Sequence, residues 1–320
     1  MTRRLSGTLG DVGEFGLVAA LTSRFPQAAG VVLGPGDDAA VVQVQGGEVV
    51  ASLDVLVQGR HFRLDWSSPT DIGHKAAAES LSDINAMGGR PTGLLVGLAA
   101  PPEMETAWAL EFADGLAAEA SSVGASVVGG DLTRADTITV AVTALGVCEH
   151  SVVRRSGARP GDVVALAGRQ GWADAGLAVL GRGFRSPRIV VDAHRRPTPP
   201  YAAGPEAARL GATAMIDVSD GLLQDIGHVA SASQVAICIE SASLEVPEPL
   251  QSVGAALGVD PLRFVLTGGD DYALAATFPP GVTLPQAWRP IGRVLDGGEA
   301  GDVTVDGAAY EDVAGHQHFR

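Results

Sequence analysis

The chain has 320 residues and a formal net charge of −15, from 37 acidic and 22 basic side chains. This length predicts two domains, or one large α/β unit, that bury a core without help from disulfides. The negative charge argues against nucleic acid or an anionic membrane as partner, because those surfaces attract clustered positive charge. The expected counterpart of so many acids is a cation.

Lys75 is the only lysine, and His74 precedes it where a P-loop needs glycine. The P-loop motif is therefore excluded, and the protein-kinase motifs H-R-D and D-F-G are absent as well. No G-x-S-x-G or H-E-x-x-H sequence supports nucleophilic or zinc catalysis. Any phosphate chemistry must use metal ions, backbone groups or arginine.

The N-terminal Met-Thr-Arg-Arg-Leu is not followed by an apolar segment, and no apolar run approaches the roughly 18 residues of a spanning helix. We therefore expect a cytoplasmic protein with no membrane association. Short valine-rich runs alternate along the chain with alanine-rich stretches of helical spacing, a pattern typical of α/β or α+β proteins.

Taken in order, the predicted strands are Val49–Ala51, Leu94–Leu98, Ser126–Val128, Thr137–Val147, Val163–Ala167, Val235–Ile239 and Tyr272–Thr277. The predicted helices are Pro69–Met87, with Thr70 as its capping residue, Glu103–Val123 and Leu222–Ala232. No full helix separates Thr137–Val147 from the runs beside it, which favours a mixed or antiparallel sheet over a doubly wound one.

The polar, turn-rich segment Arg154–Asp162 is the best candidate for a domain boundary. It predicts an N-terminal domain of residues 1–150 and a C-terminal α/β domain of residues 151–320. The stretch Gly181–Pro205 is rich in proline, glycine and arginine, which predicts a long surface connection.

Aspartates recur where apolar runs give way to small residues. They occur in Gly36-Asp37-Asp38-Ala39, Ser52-Leu53-Asp54, Gly129-Gly130-Asp131, Asp217-Val218-Ser219-Asp220-Gly221 and Gly268-Gly269-Asp270-Asp271, and Asp83 adds one on a helix. Strand ends tend to meet at one edge of a sheet, so these carboxylates are predicted to share a cleft. Uncompensated carboxylates repel each other, and magnesium is the natural cation because it takes oxygen ligands and bridges phosphates.

Several other residues have two possible interpretations. In the predicted Pro69–Met87 helix, Lys75 can neutralise Glu79, which leaves Asp83 as a metal ligand or an exposed acid. Ser219 can cap the Leu222–Ala232 helix or bind phosphate at its N-terminus. Arg154 and Arg155 are triphosphate partners or an exposed pair, and His61-Phe62 faces a heteroaromatic substrate or packs in the core.

Eight motifs occur together along nearly the whole chain. They are Gly13-Glu14-Phe15-Gly16-Leu17, Gly36-Asp37-Asp38-Ala39-Ala40, Asp54-x-Leu56-Val57-x-Gly59-x-His61-Phe62, Leu81-Ser82-Asp83-Ile84-x-Ala86-Met87-Gly88, Gly129-Gly130-Asp131, Arg155-Ser156-Gly157-Ala158-x-Pro160-Gly161-Asp162, Asp217-x-Ser219-Asp220-Gly221-Leu222 and Gly268-Gly269-x-Asp271-Tyr272. In this combination the chain resembles the thiamine-monophosphate kinase family of the aminoimidazole ribonucleotide synthetase-like superfamily.

The resemblance implies a two-domain α/β fold with a mixed sheet, in which the N-terminal halves pair in a homodimer. It implies ATP-dependent phosphorylation of thiamine monophosphate by direct in-line transfer, with several Mg²⁺ ions and no protein nucleophile. The implied metal ligands are Asp38, Ser52, the Leu53 carbonyl, Asp54, Asp83, Asp131, Asp217 and Asp220. Gly130, Asp131, Arg155 and Ser219 would contact ATP, and His61, Asp270 and Phe319 the substrate.

The sequence departs from the family pattern at three places. Asp270 stands where the family has glutamate, Leu53 stands where a hydroxyl residue is usual, and Gly315 is followed by His316 instead of an aromatic residue. Two alternatives remain open. One is a sibling ATP-using synthetase of the selenophosphate or aminoimidazole type, and the other is a magnesium–nucleotide scaffold without turnover.

Overall fold

The chain folds into two units, residues 1–84 with 90–147 (unit 1) and residues 85–89 with 148–320 (unit 2). The division falls three residues before the boundary expected from the sequence. The computed structural model describes residues 7–8, 11, 17, 20–28, 30–33, 41–44, 48–312 and 314–316. Of the helices in this described part, none has the length and apolar character needed to cross a membrane.

Unit 1 is built on a four-stranded sheet. Its strands, in chain order, are β3 (Val50–Val57), β4 (Arg90–Ala100), β5 (Ser126–Arg134) and β6 (Thr139–Val147), and a two-stranded ribbon of β1 (Val31–Leu33) and β2 (Val41–Val42) precedes them. The order across the sheet is β3-β6-β4-β5, with β4 and β5 parallel and the other pairs antiparallel. The predicted mixed sheet is confirmed.

Two helices, α1 (Pro69–Ala86) and α2 (Thr106–Ser122), contact each other in unit 1. A Cβ added to Gly73 would lie 2.0 Å from the Phe112 carbonyl oxygen, and one added to Gly115 would lie 2.1 Å from that of Thr70. Glycine is therefore required at both positions where the helix backbones touch.

Helix α1 begins one residue before the predicted capping residue Thr70. The Ser68 N–H donates to the Asp71 carboxylate at 2.9 Å, and the Asp71 N–H donates to the Ser68 hydroxyl at 3.2 Å. This reciprocal pair is a capping box, so the prediction of Thr70 as the cap is wrong. The signal was present in the sequence, because Pro69 is favourable in the first turn after a serine cap.

Unit 2 contains a seven-stranded sheet of order β13-β12-β9-β11-β7-β10-β8. Its strands are β7 (Val163–Ala167), β8 (Ala214–Val218), β9 (Ile237–Ile239), β10 (Ala273–Phe278), β11 (Trp288–Val294), β12 (Val303–Val305) and β13 (Ala308–Ala309). All neighbours pair antiparallel except β12 and β9. Phe278 and Trp288 meet edge to face in the core, with ring centres 5.1 Å apart.

The helices of unit 2 are α3 (Trp172–Gly181), α4 (Arg188–Arg195), α5 (Ala203–Leu210), α6 (Leu222–Ser233), α7 (Glu248–Leu257) and α8 (Pro261–Thr267), with a short 3-10 turn at Ser241–Ser243. The prediction of a long surface connection over Gly181–Pro205 is wrong, because α4 lies inside it. That helix buries Val190, Val191 and Ala193, while Pro187 and Pro197 stand just outside its ends.

Candidate active site

The first group of predicted metal ligands lies between β3 and α1 in unit 1. Ser52 and Asp54 are two residues apart on β3, so their side chains project from the same face of the sheet. The Ser52 hydroxyl contacts the Asp83 carboxylate, and the Ser80 hydroxyl lies 2.8 Å from Oδ2 of Asp54. Ser80 and Asp83 are three residues apart on α1 and share a helix face. The structure therefore brings Asp54 and Asp83 to one strand–helix interface.

Asp54 is partly withdrawn from water in this interface. Burial raises the pKa of its carboxyl above the usual value, while the Ser80 hydrogen bond and the nearby His61 act in the opposite direction. A hard cation would offset the cost of holding this carboxylate charged away from water, and oxygen donors are the ligands that Mg²⁺ takes. The chemistry of Ser52, Asp54 and Asp83 fits such an ion.

Leu53 differs from its neighbours on β3. Its side chain is 60% exposed and projects from the opposite face to Ser52 and Asp54. Val55 follows on that same face and is 45% exposed. Only the main-chain carbonyl of Leu53 can act as a metal ligand, as the resemblance implies.

His61 lies in a tight turn directly after β3. The Val57 N–H donates to its Nδ1 atom at 2.9 Å, so in the neutral ring the proton is on Nε2, which is then a hydrogen-bond donor. The buried Lys75 Nζ lies 3.4 Å from the His61 carbonyl and 4.0 Å from the Glu79 carboxylate. The predicted pairing of Lys75 with Glu79 is present, and Lys75 also supports the His61 turn.

Asp131 stands apart from the first group. It lies within β5, while Asp54 lies on β3 at the other edge of the sheet. Three strand spacings of roughly 4.8 Å separate these edges by about 14 Å. The expectation that Asp54 and Asp131 mark strand ends is wrong, because β3 continues to Val57 and β5 to Arg134.

Gly130 precedes Asp131 in the strand and pairs with Val96 of β4. A Cβ at Gly130 would lie 1.9 Å from the Val96 carbonyl oxygen, so the position admits only glycine. Within the described part of the chain, no three His, Cys, Asp or Glu side chains converge in a way that could hold a metal ion. Asp38 lies outside the described residues.

A second group of predicted residues lies in unit 2, on two neighbouring loops. The first loop joins β8 to α6 and carries Ser219 and Asp220 after the buried Asp217, and the second joins α8 to β10 and carries Asp270. The Asp270 N–H donates to the Ser219 carbonyl at 2.9 Å. A Cβ at Gly269 would lie 2.1 Å from the same carbonyl oxygen. The loops therefore run in direct backbone contact, which brings Asp217, Ser219, Asp220 and Asp270 together.

Asp225 holds the first of these loops in place. Its Oδ2 atom accepts hydrogen bonds from the Asp220 and Gly221 N–H groups, both at 3.0 Å. Burial raises the pKa of this carboxyl to about 6. Asp225 thus takes the capping role predicted for Ser219, and that prediction is wrong. An acid in the first turn of a helix was the available signal.

Asp270 lies beside a buried histidine that sequence reasoning did not select. Its Oδ2 atom is 3.8 Å from Nδ1 of His194, on α4. Asp270 and Tyr272 have left-handed backbone angles, with φ of 66° and 54°, which is uncommon for residues with a Cβ. Asp271, which lies between them, is fully buried, and its carboxylate accepts the Ala173 N–H at 3.1 Å. Burial raises the pKa of this carboxyl to about 7.

Arg155 lies away from Ser219 within unit 2. Its carbonyl accepts the Ser233 hydroxyl at 3.1 Å, at the C-terminal end of α6. The 12 residues of that helix span about 18 Å, and Ser219 precedes the opposite end. The structure therefore does not bring the Arg155 backbone to the Ser219 loop.

The C-terminal segment reaches the acidic loops. The His316 N–H donates to the Asp220 carbonyl at 3.0 Å, and the Gln224 side-chain amide donates to the His316 carbonyl at 2.8 Å. Phe319, the expected substrate contact, lies outside the described residues.

The fold and the acidic residues define a class of protein. Residues 36–148 match the family described as AIR synthase related protein, N-terminal domain. The fold also matches a structure of the hydrogenase maturation protein HypE at a TM-score of 0.74, over 94% of this chain and 97% of that one, but at 17% identity this likeness shows the fold alone. The chain thus has an AIR synthase related fold.

Full-length relatives narrow this class to one family. The thiamine-monophosphate kinase of Mycobacterium tuberculosis (strain CDC 1551 / Oshkosh) is 46% identical over 316 residues, covering 98% of this chain and 94% of that relative. The enzyme of Escherichia coli (strain K12) is 35% identical over 83% of each chain. A solved structure of AaThiL complexed with AMPPCP and TMP is 32% identical, covers 100% of both chains, and has a TM-score of 0.80. The chain belongs to the thiamine-monophosphate kinase family.

Proposed function

We propose that this protein transfers the γ-phosphoryl group of ATP to the phosphate of thiamine monophosphate. A phosphate oxygen of the acceptor forms the new P–O bond as the bond between the β,γ-bridging oxygen and the γ-phosphorus breaks, giving thiamine diphosphate and ADP. The observation that carries the proposal is the full-length match to a family member whose structure holds AMPPCP and TMP. Direct in-line transfer depends on positioning and charge neutralisation, which suits a chain with one lysine.

Magnesium is the proposed metal. When bound, it would neutralise the charge that gathers on the phosphates during transfer. The proposed ligands are Asp38, Ser52, the Leu53 carbonyl, Asp54, Asp83, Asp131, Asp217 and Asp220. Support comes from the paired arrangement of Ser52 with Asp83 and Ser80 with Asp54, and from the buried Asp217 beside Asp220.

The nucleotide and acceptor contacts are proposed by residue. Gly130, Asp131, Arg155 and Ser219 contact ATP. His61 donates its Nε2–H to an acceptor atom of the substrate, which the Val57 contact to Nδ1 supports. Asp270 contacts the substrate from beside His194, and Phe319 does so from the segment attached at Asp220 and Gln224.

We further propose a cytoplasmic homodimer in which residues 1–150 bind ATP and magnesium and form the subunit interface, while residues 151–320 supply the remaining ligands. The support for the dimer is the open face of the unit 1 sheet, where Leu53, Val55 and Leu95 are 60%, 45% and 39% exposed. Leu53 and Leu95 lie on either side of Thr143 of β6, and apolar exposure clustered on one face in this way marks an interaction surface.

Charge placed on this face tests the dimer. Val55→Lys should halve the mass measured by analytical ultracentrifugation, because a lysine there must lose water to enter an apolar interface. Leu177→Lys is the matched control, since Leu177 is 40% exposed on α3 in unit 2. A wild-type monomer, or a Val55→Lys dimer of unchanged stability, would contradict the proposed interface.

The kinase activity is tested by coupled ADP release with ATP, magnesium and thiamine monophosphate. Asp131→Asn should lower kcat about a thousandfold or more, since one carboxylate charge at the phosphates is lost. Asp136→Asn, an exposed aspartate just beyond β5, should leave kcat unchanged. Full activity of Asp131→Asn would overturn the metal assignment. Nucleotide binding without substrate-dependent ADP release would favour the scaffold alternative, and release with a different acceptor the sibling enzyme.

A further inference from the structure

Unit 2 contains a cavity of about 440 Å³ beside α4. Three arginines line it, Arg169, Arg188 and Arg196, together with Asp192 and Thr198. Its volume lies in the range of sites that take small organic ligands. None of these residues is among the proposed ligands of magnesium, ATP or substrate. We call it the arginine cavity.

The charge of the arginine cavity is opposite in sign to the net charge of the chain. Three arginines and one aspartate give its lining a formal charge of +2, whereas the whole chain carries −15. The surrounding segment 182–196 has five arginines and a single acid, Asp192. Positive charge concentrated in a strongly acidic protein attracts an anionic ligand, and low-dielectric walls strengthen that attraction.

Two of the arginines contact neighbouring side chains. Arg169 lies with its guanidinium carbon 5.5 Å from the centre of the Trp172 ring, and one of its terminal nitrogens is 2.7 Å from the Thr198 hydroxyl. Arg188 Nε is 3.0 Å from Oδ2 of Asp192, and its side chain is 86% exposed. A guanidinium has five N–H donors, so a contact made by one nitrogen leaves the fork able to engage an anion.

The side chains that line the cavity indicate the kind of ligand it binds. Arginine forks match the paired oxygens of phosphate and bind it bidentately. The cavity is larger than a phosphate group, and its wall includes the side chains of Ile189 and Ala193, of which Ile189 is 51% exposed. An apolar wall next to a phosphate site suits a ring attached to the phosphate.

We propose that the arginine cavity binds the phosphate group of a small phosphorylated heterocycle, with Arg169, Arg188 and Arg196 on the phosphate and Ile189 against the ring. A nucleotide and a thiamine phosphate share this chemistry. Both are ligands of the proposed kinase reaction, so the choice of these two sources rests on the proposed function, and the experiment separates them.

Binding is measured by isothermal titration calorimetry on the full chain, in EDTA and without magnesium. Without a divalent cation the acidic residues repel phosphate, which isolates the arginine cavity from the proposed kinase site. The probes are inorganic pyrophosphate, ADP, thiamine monophosphate and thiamine diphosphate. Tryptophan fluorescence is a second readout, because Trp172, one of four tryptophans in the chain, lies beside Arg169.

Arg188→Gln is the principal variant, because a side chain that is 86% exposed can be replaced without disturbing the fold. It should weaken binding at least about tenfold, through loss of one charge-assisted contact to the phosphate. Arg169→Gln/Arg188→Gln should weaken it further. Arg209→Gln is the matched control, an exposed arginine of α5 that lies 3.9 Å from Glu206, and it should bind as wild type.

Saturable binding that weakens in Arg188→Gln and persists in Arg209→Gln supports the site. Tighter binding of ADP or of the thiamine phosphates than of pyrophosphate then identifies the source. Equal affinity for pyrophosphate and all organic probes overturns the assignment to a heterocycle. Absence of binding overturns the site itself. Binding that is unchanged both in Arg188→Gln and in the double variant Arg169→Gln/Arg188→Gln also overturns it. The ADP-release assay addresses other residues, so either proposal can fail while the other stands.

Discussion

The two groups of acidic residues are held by different means. In unit 1, Ser52, Asp54 and Asp83 stand inside a regular strand and helix, and their spacing follows from the periods of those elements. In unit 2, Ser219, Asp220 and Asp270 stand on loops, whose shape comes from backbone contacts and from the buried Asp225.

This difference indicates which substitutions should disturb the geometry of each group. A strand and a helix keep their side chains in register as long as they fold, so the unit 1 group depends on the polar partners of each carboxylate. Two adjoining loops keep their geometry only while their backbones can touch, so the unit 2 group depends on glycine at the point of contact. We therefore expect substitutions at the two kinds of position to differ in their effect.

Of the substitutions that distinguish the two groups, Gly269→Ala should have the largest effect. The new Cβ must displace the Ser219 carbonyl, which it would otherwise approach to 2.1 Å. Separating the loops by about 1 Å should lower kcat about a hundredfold. Gly181→Ala is the control, since nothing lies within 4 Å of a Cβ there. Steady-state kinetics of both variants check this, and near-normal turnover of Gly269→Ala would show that the loop contact does not position the site.

Ser80→Ala should have a smaller effect, confined to the unit 1 group. It removes the hydroxyl that lies 2.8 Å from the Asp54 carboxylate. Losing a hydrogen bond to a partly buried charge costs about 1–2 kcal/mol, which corresponds to roughly tenfold in kcat or in the magnesium concentration for half-maximal rate. Ser122→Ala removes a hydroxyl that contacts only the Glu119 carbonyl at the end of α2 and serves as control. A magnesium titration identical to wild type would argue against Asp54 as a ligand.

Asp271→Asn should have the smallest effect, on the pH dependence of stability. The folded pKa of about 7 lies above the usual 3.8, so the folded state holds this proton more tightly than the unfolded state. The stabilisation is complete below about pH 4 and is lost as the pH rises towards 7. Asn cannot ionise, so it does not lose stability as the pH rises. The melting temperature of the variant relative to wild type should therefore be about 2–4 °C higher at pH 8 than at pH 5.

Asp306→Asn provides the opposite case for comparison. Hydrogen bonds from Ser241 lower the pKa of Asp306, so its contribution is complete at both pH 5 and pH 8. Thermal melts at the two pH values should therefore show the same difference from wild type. If the melting temperature of Asp271→Asn differs from that of wild type by the same amount at both pH values, Asp271 is not the buried titrating group described above.

Local patterns were sufficient for the three predicted helices and for several strands. The predicted helix Pro69–Met87 is observed as Pro69–Ala86, and Leu222–Ala232 as Leu222–Ser233, because both carry a clear apolar period. The segment around α4 was missed, since arginine and proline around a short apolar run are as typical of a loop as of a brief helix. His194 was missed with it.

From the sequence alone we could predict the family, the acidic residues of the candidate site and the absence of a P-loop motif. Tertiary structure decided which acids are neighbours. Asp54 and Asp131 occur in similar sequence contexts, yet sheet order places them at opposite edges, because strand order depends on long-range pairing and not on local pattern. Only the folded chain shows that the loops of Ser219 and Asp270 run in backbone contact, because that contact joins residues distant in sequence.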